Sequence, residues 1–474
     1  MKTIQSQRGS LLIVAMLLSA IIGVSLVSFI KLSQNASKMA NRSFYQDAAQ
    51  NLTDVGLEHV LWALNNSNNW TDAGFTLVTG TTDRYRGTFP SATTYVSFSG
   101  NVKGQVKVWV DNSGATPHAV SKATITLGDG STLIKMAESY FKINSYFDDG
   151  MVGDTINFSG PVTIDSWNSD PDNDASTAAI AYSAGVANDG GKVGATSVTD
   201  GALDAGQGQI KGYIAVGSSD TSGIDLGKQG SVGDDAWVDS KTGIQSGHAT
   251  FDFTASFPDV SPPPCTPEVL TTVTNVSLPA AGDTRAADGK FYYQISAISM
   301  SGNNDTVTIT DDVVLITTNT TGTTVHMSGN NSGIVIDAGG KLALYTAGNV
   351  SITGKGIMNG GNNPASAYQP INFQLYGTRS AAQVGTSGYQ TIAIKGNGCL
   401  SGVVYAPNAD VTVNGNGDVM GAIVGHTVNM TGNASFHYDE SLADFGGSGL
   451  WKITKWRELS SATDRNTYTT HLNF

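Results

Sequence analysis

The chain has 474 residues, a formal net charge of −13 and only 14% charged residues, against about 25% in an average soluble protein. No basic patch offsets phosphate charge, which argues against nucleic acid as a partner. The 56 glycines, together with many Asn, Asp, Thr and Ser residues, favour turns and short strands, so the fold class expected is α+β overall and mainly β.

The first predicted element is an apolar segment close to the N-terminus. Lys2 and Arg8 precede an uncharged run from Ser10 to Ile30, and Lys31 ends it. At about 1.5 Å per residue this run reaches roughly the 30 Å of a bilayer core. The apolar part of a cleaved secretory signal is shorter, about 7 to 15 residues. The positive N-terminal flank predicts a single-pass inner-membrane protein whose bulk, after Lys31, is exported.

The leader, residues 1–9, ends in Arg8-Gly9, and the mature helix would open with Ser10-Leu11-Leu12-Ile13-Val14. This pattern resembles a type IV prepilin signal and is most similar to PilX-type minor pilins. The resemblance implies that prepilin peptidase cuts between Gly9 and Ser10, that the new amino terminus is methylated, and that residues 10–30 contact other pilin subunits. Val14 stands where major pilins carry a glutamate, which suits a tip subunit because an unpaired carboxylate in lipid is costly. An uncleaved signal anchor is the alternative.

The helical pattern continues past the membrane segment. Two apolar stripes follow at helical spacing: Phe44, Ala48, Leu52 and Val55, then Leu57, Val60, Leu61 and Leu64. They predict one helix over residues 10–65, roughly 80 Å long. Its first half would lie in the membrane (residues 10–30) or in a bundle of helices, and its second half would pack on a globular domain.

Residues 70–147 change to a period of two. Val106, Val108 and Val110 alternate with Lys107 and Trp109, which predicts a small antiparallel sheet of about four strands. A sheet that leans on the second half of a long N-terminal helix is the pilin layout, and the resemblance implies it here.

From residue 148 onward, short β-rich phrases alternate with Gly-Asn turns in steps of about 18 residues. The pattern predicts a right-handed β-helix or β-solenoid with rungs over residues 148–256 and 291–445. A Pro-rich excursion, residues 257–290, would separate the two sets. Residues 446–474 would form a C-terminal cap or tail, with Trp451 and Trp456 folded over the last rung. The later rungs resemble a surface domain found behind PilX-type N-termini.

Two histidines in the later rungs suggest acid/base chemistry. His426 and His437 lie near Asp410, Asp418, Asp439 and Glu440 in the sequence, and carboxylates line the active faces of several β-helix polysaccharide enzymes. Carboxylates are plentiful in so acidic a chain, however, so the chain is not expected to be an enzyme.

Asp170, Asp172 and Asp174 alternate as the first ligands of a calcium loop do, and they form a weak calcium candidate. The sequence lacks the later glycine and glutamate of an EF-hand, and a solvated acidic loop is the alternative. No other cofactor is expected. Cys265 and Cys399 are the only cysteines. They could pair as a disulfide in an oxidising compartment or remain buried thiols.

The function expected is a minor pilin or pseudopilin-like subunit of a type IV pilus or type II secretion-like filament, at the tip or initiating. It would reach the cell surface on assembly and display the solenoid for adhesion, with a surface glycan as a candidate partner. A membrane-anchored surface scaffold outside any filament is the first alternative. A β-helix carbohydrate-active enzyme is the second.

Overall fold

The structure, a computed structural model, describes residues 7–66, 68–114, 116–172, 174, 177–353, 356–359, 369–396, 399–415, 417–445 and 447–474. The chain divides into two compact units. The helix–sheet unit comprises Met1–Ile143 and Gly449–Phe474, and the ladder unit comprises Asn144–Ser448.

The described helices are few. α1 spans Gln7–Asn65, α2 spans Asp235–Val238 and α3 spans Ala462–Thr467. Short 3₁₀ turns occupy Thr221–Gly223, Pro370–Asn372, Ala381–Gln383 and Glu440–Asp444. The long N-terminal helix predicted over residues 10–65 is therefore present, and it ends where two poor helix formers, Asn65 and Asn66, follow one another.

The strands before the ladder unit are β1 (Phe75–Leu77), β2 (Arg84–Phe89), β3 (Val96–Ser97), β4 (Lys103–Asp111), β5 (His118–Thr126) and β6 (Thr132–Ser145). Those of the ladder unit are β7 (Met151–Gly153), β8 (Thr155–Ser159), β9 (Thr163–Trp167), β10 (Gly191–Ala195), β11 (Leu203–Gly206), β12 (Gln209–Val216), β13 (Ile224–Leu226), β14 (Ser231–Gly233), β15 (Gly243–Ile244), β16 (Ala249–Thr250), β17 (Glu268–Val269), β18 (Val276–Leu278), β19 (Phe291–Ile295), β20 (Ile298–Met300), β21 (Thr306–Ile309), β22 (Asp312–Thr317), β23 (Thr323–Met327), β24 (Gly333–Ile336), β25 (Lys341–Thr346), β26 (Asn349–Ile352), β27 (Gly356–Asn359), β28 (Phe373–Gly377), β29 (Gln390–Gly396), β30 (Cys399–Gly415), β31 (Asp418–Gly432) and β32 (Ser435–Asp439). One strand follows the ladder unit, β33 (Gly447–Glu458).

In the helix–sheet unit, the second half of α1 packs on one face of a seven-stranded sheet of order β1-β2-β4-β5-β6-β33, with β3 beside β4. Leu57, Val60 and Leu64 are buried against valines of β4 such as Val106 and Val108. The alternation seen in the sequence produces this face, because every second residue of a strand points to the same side.

The C-terminal residues cover the opposite face of the same sheet. Trp109, Val120 and Met136 are buried there with Leu459 and Leu472. Since both faces are covered, Trp109 of β4 is as sheltered as the valines on either side of it.

Of the predicted C-terminal cap, residues 446–474, the segment Gly449–Phe474 belongs to the helix–sheet unit. β33 lies beside β6, where Thr454 Oγ1 donates to the Tyr140 carbonyl (3.2 Å) and Arg457 Nε to Glu138 Oε1 (2.9 Å). The Trp451 amide donates to Asn65 Oδ1 at the end of α1 (2.5 Å). β33 covers the edge of β6 and becomes the last strand of the sheet itself. The ladder unit is thus an insertion between two neighbouring strands of one sheet.

In the ladder unit, the strand pairs whose residue register is defined are all parallel. Most strands from β18 onward pair with the third strand after them in the sequence. Equivalent residues therefore stack into buried columns. In one such column each residue is the register partner of the next: Tyr293, Leu315, Leu344, Leu375, Val404, Ile423, Met151, Val193 and Ile214. Burial of such aliphatic columns, about 25 cal/mol per Å² of apolar surface, is the main stabilising term of this unit.

The predicted fold class of a right-handed β-helix or β-solenoid is wrong. That prediction required two successive sets of rungs in chain order, closed by a cap at the C-terminal end. Among the described residues, the ladder unit has one 26-stranded sheet in which β31 and β32, late in the chain, pair with β7, β8 and β9 at its start. The repeating hydrophobic pattern encodes which side chains point inward, but not which strands become neighbours.

The Pro-rich stretch is not strand, and it packs on the outside of the ladder unit. The Tyr405 hydroxyl donates to the Pro258 carbonyl (3.0 Å), and Asn408 Nδ2 donates to Asp259 Oδ1 (2.7 Å). The predicted excursion, residues 257–290, nevertheless contains the short strands β17 and β18. β16 pairs with β12, whereas β17 pairs with β19. The Pro-rich segment between β16 and β17 therefore connects two separate groups of paired strands in the sheet.

A glycine in α1 tests the packing of the helix on the sheet. A Cβ at Gly56 would lie 2.8 Å from methyl groups of Val106 and Val108 and would also overlap Ser121 Oγ, whereas a Cβ at Gly23 has no neighbour within 4 Å. We expect Gly56→Leu to destabilise the helix–sheet unit by about 1–3 kcal/mol and Gly23→Leu to leave it unchanged. Amide hydrogen exchange of β4 and β5 measures both, and equal protection in the two variants would contradict the packing described.

Candidate functional site

The N-terminal half of α1 is an apolar surface without cover. Every side chain from Leu12 to Phe44 is exposed. Among the described residues, α1 is the helix that is long and apolar enough to cross a membrane, and its most apolar 18-residue stretch has a mean hydropathy of 2.6. Val14 is 53% exposed and Ile30 is 46% exposed. The predicted processing residues, Gly9 and Ser10, lie in the first turns of α1, and their side chains, like that of Leu11, lie outside the described residues. This half of the helix is compatible with a membrane anchor.

The residues of the predicted acid/base cluster do not form one site. The structure distributes them over three places. The first is a charged triad of Asp165, Asp418 and His437, held by the adjacent strands β9, β31 and β32. His437 Nδ1 lies 2.5 Å from Asp165 Oδ1, and Nε2 lies 3.0 Å from Asp418 Oδ1.

The imidazole of this triad is cationic at neutral pH. Burial alone would lower the pKa of His437, but the hydrogen bond to Asp165 and the nearby Asp418 carboxylate outweigh it and raise that pKa to about 9. Tyr182 stacks on the ring with centroids 3.7 Å apart, and its hydroxyl donates to Asp165 Oδ2 (2.7 Å). A buried imidazolium between two carboxylates is a structural ion pair, and it joins the first strands of the ladder unit to its last ones.

The second place is a hydrogen-bonded group on neighbouring strands. The Tyr389 hydroxyl donates to Asp410 Oδ1 (2.8 Å) and lies 3.0 Å from His426 Nδ1. Burial, with this hydrogen bond, raises the pKa of Tyr389. The phenol is therefore a neutral donor at physiological pH.

The third place contains Asp439 and Glu440, at the end of β32. Asp439 is fully buried and accepts hydrogen bonds from the amide and hydroxyl of Ser169 (2.9 and 2.7 Å). Burial raises the pKa of Asp439 although these bonds oppose the shift. Glu440 Oε1 accepts from Ser166 Oγ (2.6 Å). These carboxylates fasten loops of the ladder unit.

The aspartates of the calcium candidate bind their own loop. Asp170 Oδ1 and Asp172 Oδ1 accept from the Asp174 amide (3.2 and 3.3 Å), and Asp170 Oδ2 accepts from Gln369 Nε2 (3.0 Å). Within the described ranges, no group of three His, Cys, Asp or Glu side chains is arranged to hold a metal ion. Calcium binding stays a prediction.

The two cysteines differ in what the structure describes. Cys265 is half-buried, and burial, followed by the charge of Asp288, raises the pKa of its thiol. Cys399 begins β30, but its side chain lies outside the described residues. Their disulfide also stays a prediction.

The sequence reasoning missed a groove over β10 and β12. Two cavities, of about 240 and 470 Å³, share Lys192 and Tyr213 among their lining residues. Tyr213 is 46% exposed on a strand whose neighbouring residues, Gly212 and Ile214, are buried. One sequence signal could have indicated the groove: Tyr213 is an aromatic residue at a position of β12 where the alternating pattern places side chains in solvent.

The charged triad predicts a pH-dependent stability. The folded pKa of His437, about 9, exceeds its ordinary value of about 6.5, so the stabilisation is complete below about pH 6.5 and is lost as pH rises through 9, about 3 kcal/mol in all. Urea unfolding of the ladder unit at several pH values measures this. His437→Gln should remove the pH dependence, and His326→Gln, at a half-buried position of β23, should retain it. An unchanged pH profile in His437→Gln would refute the assignment.

Comparisons with known proteins give two likenesses. Residues 261–445 match a family described as a domain of unknown function (DUF7305). The chain is also similar to the crystal structure of the competence-associated pilin ComZ from Thermus thermophilus, with 11% identity and a TM-score of 0.24 over 87% of this chain and 97% of that chain. No curated protein matches the chain.

Proposed function

We propose that the chain is a minor pilin or pseudopilin-like structural subunit of a type IV pilus or type II secretion-like filament. It is held in the inner membrane by α1 before assembly and presents the ladder unit at the cell surface. The first half of α1 supports this most strongly, because it is exposed and apolar while the same helix continues into the core of the helix–sheet unit. A simple anchor does not require that continuity.

The amino-terminal sequence supplies the processing step of the proposal. Prepilin peptidase cuts between Gly9 and Ser10, and Ser10 becomes the methylated N-terminus. The positive residues Lys2 and Arg8 stay on the cytoplasmic side. Removal of the leader leaves the apolar half of α1 as the first part of the mature chain.

Assembly then exchanges lipid for helices of other subunits. The exposed side chains from Leu12 to Ile30 are large and aliphatic, so both environments cover them by the same apolar contacts. Val14 introduces no buried charge that would require a partner below it. The chain therefore suits the tip or an initiating position.

The ladder unit is the part of the chain that is presented at the cell surface to a binding partner. Its insertion between β6 and β33 keeps the sheet on which α1 packs complete, so a large domain is added without loss of the helix support. The proposed role is adhesion or another surface interaction, and no catalytic step is assigned to the chain.

The mature N-terminus tests the processing step. We expect mass spectrometry of the protein from native cells to give methylated Ser10 as the first residue. Gly9→Val should block cleavage and remove the protein from the surface, whereas Gly23→Val, the same change within the exposed half of α1, should be cleaved normally. An intact Met1 at the N-terminus of the protein from native cells would contradict the proposal.

Surface appendages test assembly. Filaments sheared from intact cells should contain the chain at a low ratio to the major subunit, as expected for a tip or initiating position, and should lack the uncleaved Gly9→Val variant. An inner-membrane protein unrelated to filaments serves as the lysis control. A chain that remains entirely with the cell body would favour the membrane-anchored scaffold instead.

A further inference from the structure

We infer that the groove over β10 and β12 binds a neutral oligosaccharide. This inference rests on the proposed function in one respect: the ladder unit must reach the outside to meet such a ligand. The groove, called the Tyr213 groove below, consists of the two cavities that meet at Lys192 and Tyr213.

The aromatic ring is fixed before any ligand arrives. Tyr213 stacks on His248 with centroids 4.6 Å apart and planes 6° from parallel. The His248 ring is in turn held by a 2.8 Å contact between Nδ1 and the Gly212 carbonyl. A ring that is already ordered loses little conformational entropy on binding. It offers an apolar surface of the size that an aromatic side chain contributes to an interface.

Two glycines, Gly194 in β10 and Gly190 just before it, position two of the side chains that line the groove. A Cβ at Gly194 would lie 2.7 Å from the Phe253 ring, and one at Gly190 would lie 2.6 Å from Glu440 Oε1. Both glycines therefore let the Phe253 ring and the Glu440 carboxylate lie close to the backbone, where a side chain would displace them. The result is a shallow trough with Phe253 towards one end and Glu440 towards the other.

The walls of the groove carry both hydrogen-bond donors and hydrogen-bond acceptors. Asn188, Asp189 and Lys192 line the larger cavity with Glu440. Within the described part of the chain, no donor reaches the exposed Asp189 carboxylate. Lys192 Nζ is oriented by the Asp148 carbonyl (2.9 Å). Sugar hydroxyls both donate and accept, so they match a mixed set of carboxylates, an amide and an ammonium, while the C–H face of a sugar ring fits the Tyr213 surface.

Other ligand classes fit less well. An extended peptide would need a free strand edge, but β10 is paired with both β7 and β12. Nucleic acids and acidic sugars would meet Asp149, Asp189 and Glu440 with the one ammonium of Lys192 among the lining charges, which is unfavourable for an anion. A neutral oligosaccharide is the class that the groove favours.

The experiment uses the full chain, purified in a detergent without a sugar headgroup, on an array of immobilised neutral and acidic oligosaccharides. We expect binding to neutral members, followed by calorimetry with the strongest of them. Tyr213→Ala should weaken binding by at least about tenfold, Asp189→Ala severalfold, and Tyr213→Phe little. Tyr95→Ala is the matched control, since Tyr95 is 47% exposed against 46% for Tyr213, and it should bind as the native chain does.

The outcomes separate this inference from the proposed function. Absence of binding to every neutral member, binding to acidic members alone, or equal affinity of the folded Tyr213→Ala variant would each overturn the oligosaccharide site. Circular dichroism of each variant establishes that it is folded, and Asp189→Ala, at an exposed position, provides a second test if Tyr213→Ala misfolds. Because the binding is measured on purified protein, a methylated Ser10 without sugar binding refutes only the groove. Sugar binding by a chain that is never cleaved refutes only the pilin role.

Discussion

The rest of the structure depends on the two environments that α1 requires at once. Its first half exposes aliphatic side chains from Leu12 to Ile30, and these need lipid or other helices, because water would leave a large apolar surface uncovered. Its second half is the hydrophobic core partner of the antiparallel sheet. Since one helix joins the two halves without a break, the exposed half is continuous with the half that packs on the sheet. An anchor tethered by a flexible linker would not couple the two in this way.

The same sheet explains how the chain accommodates the ladder unit. β6 leaves the sheet and β33 returns beside it, so the inserted residues begin and end close together. Within the ladder unit, Ser145 links the first residues to the last ones, since its hydroxyl lies 2.7 Å from the Leu442 carbonyl and 2.6 Å from that of Phe445. A few residues later, β9 pairs with β32 and His437 lies between Asp165 and Asp418. The start and the end of the insertion are thus joined by hydrogen bonds, an ion pair and a continuous hydrophobic column.

Local features of this fold could be predicted from the sequence, and long-range pairings could not. The helical stripes placed the end of α1 at about residue 65, and alternation around Val106, Val108 and Val110 identified β4. The partner of β6 is β33, more than 300 residues later, and no local pattern specifies such a neighbour. The solenoid prediction failed for the same reason. The sequence makes His437 a candidate residue, but its contact with Asp165 spans 272 positions and no local pattern indicates it. Asp170 and Asp172 match a calcium loop in spacing, and calcium binding there stays a prediction; in the structure their oxygens accept hydrogen bonds from the Asp174 amide and the Gln369 side chain.

The central claim is that the exposed half of α1 contacts other filament subunits. Site-specific photo-crosslinking in living cells tests it most directly, with the photoreactive residue at Leu18, which is 53% exposed, and a control at Ile134 of β6, which is 40% exposed in the helix–sheet unit. We expect crosslinks from position 18 to the apolar helices of pilin subunits when the filament machinery is present, and their loss when it is deleted. Crosslinks from position 18 that reach lipid alone, in cells that assemble filaments normally, would contradict it.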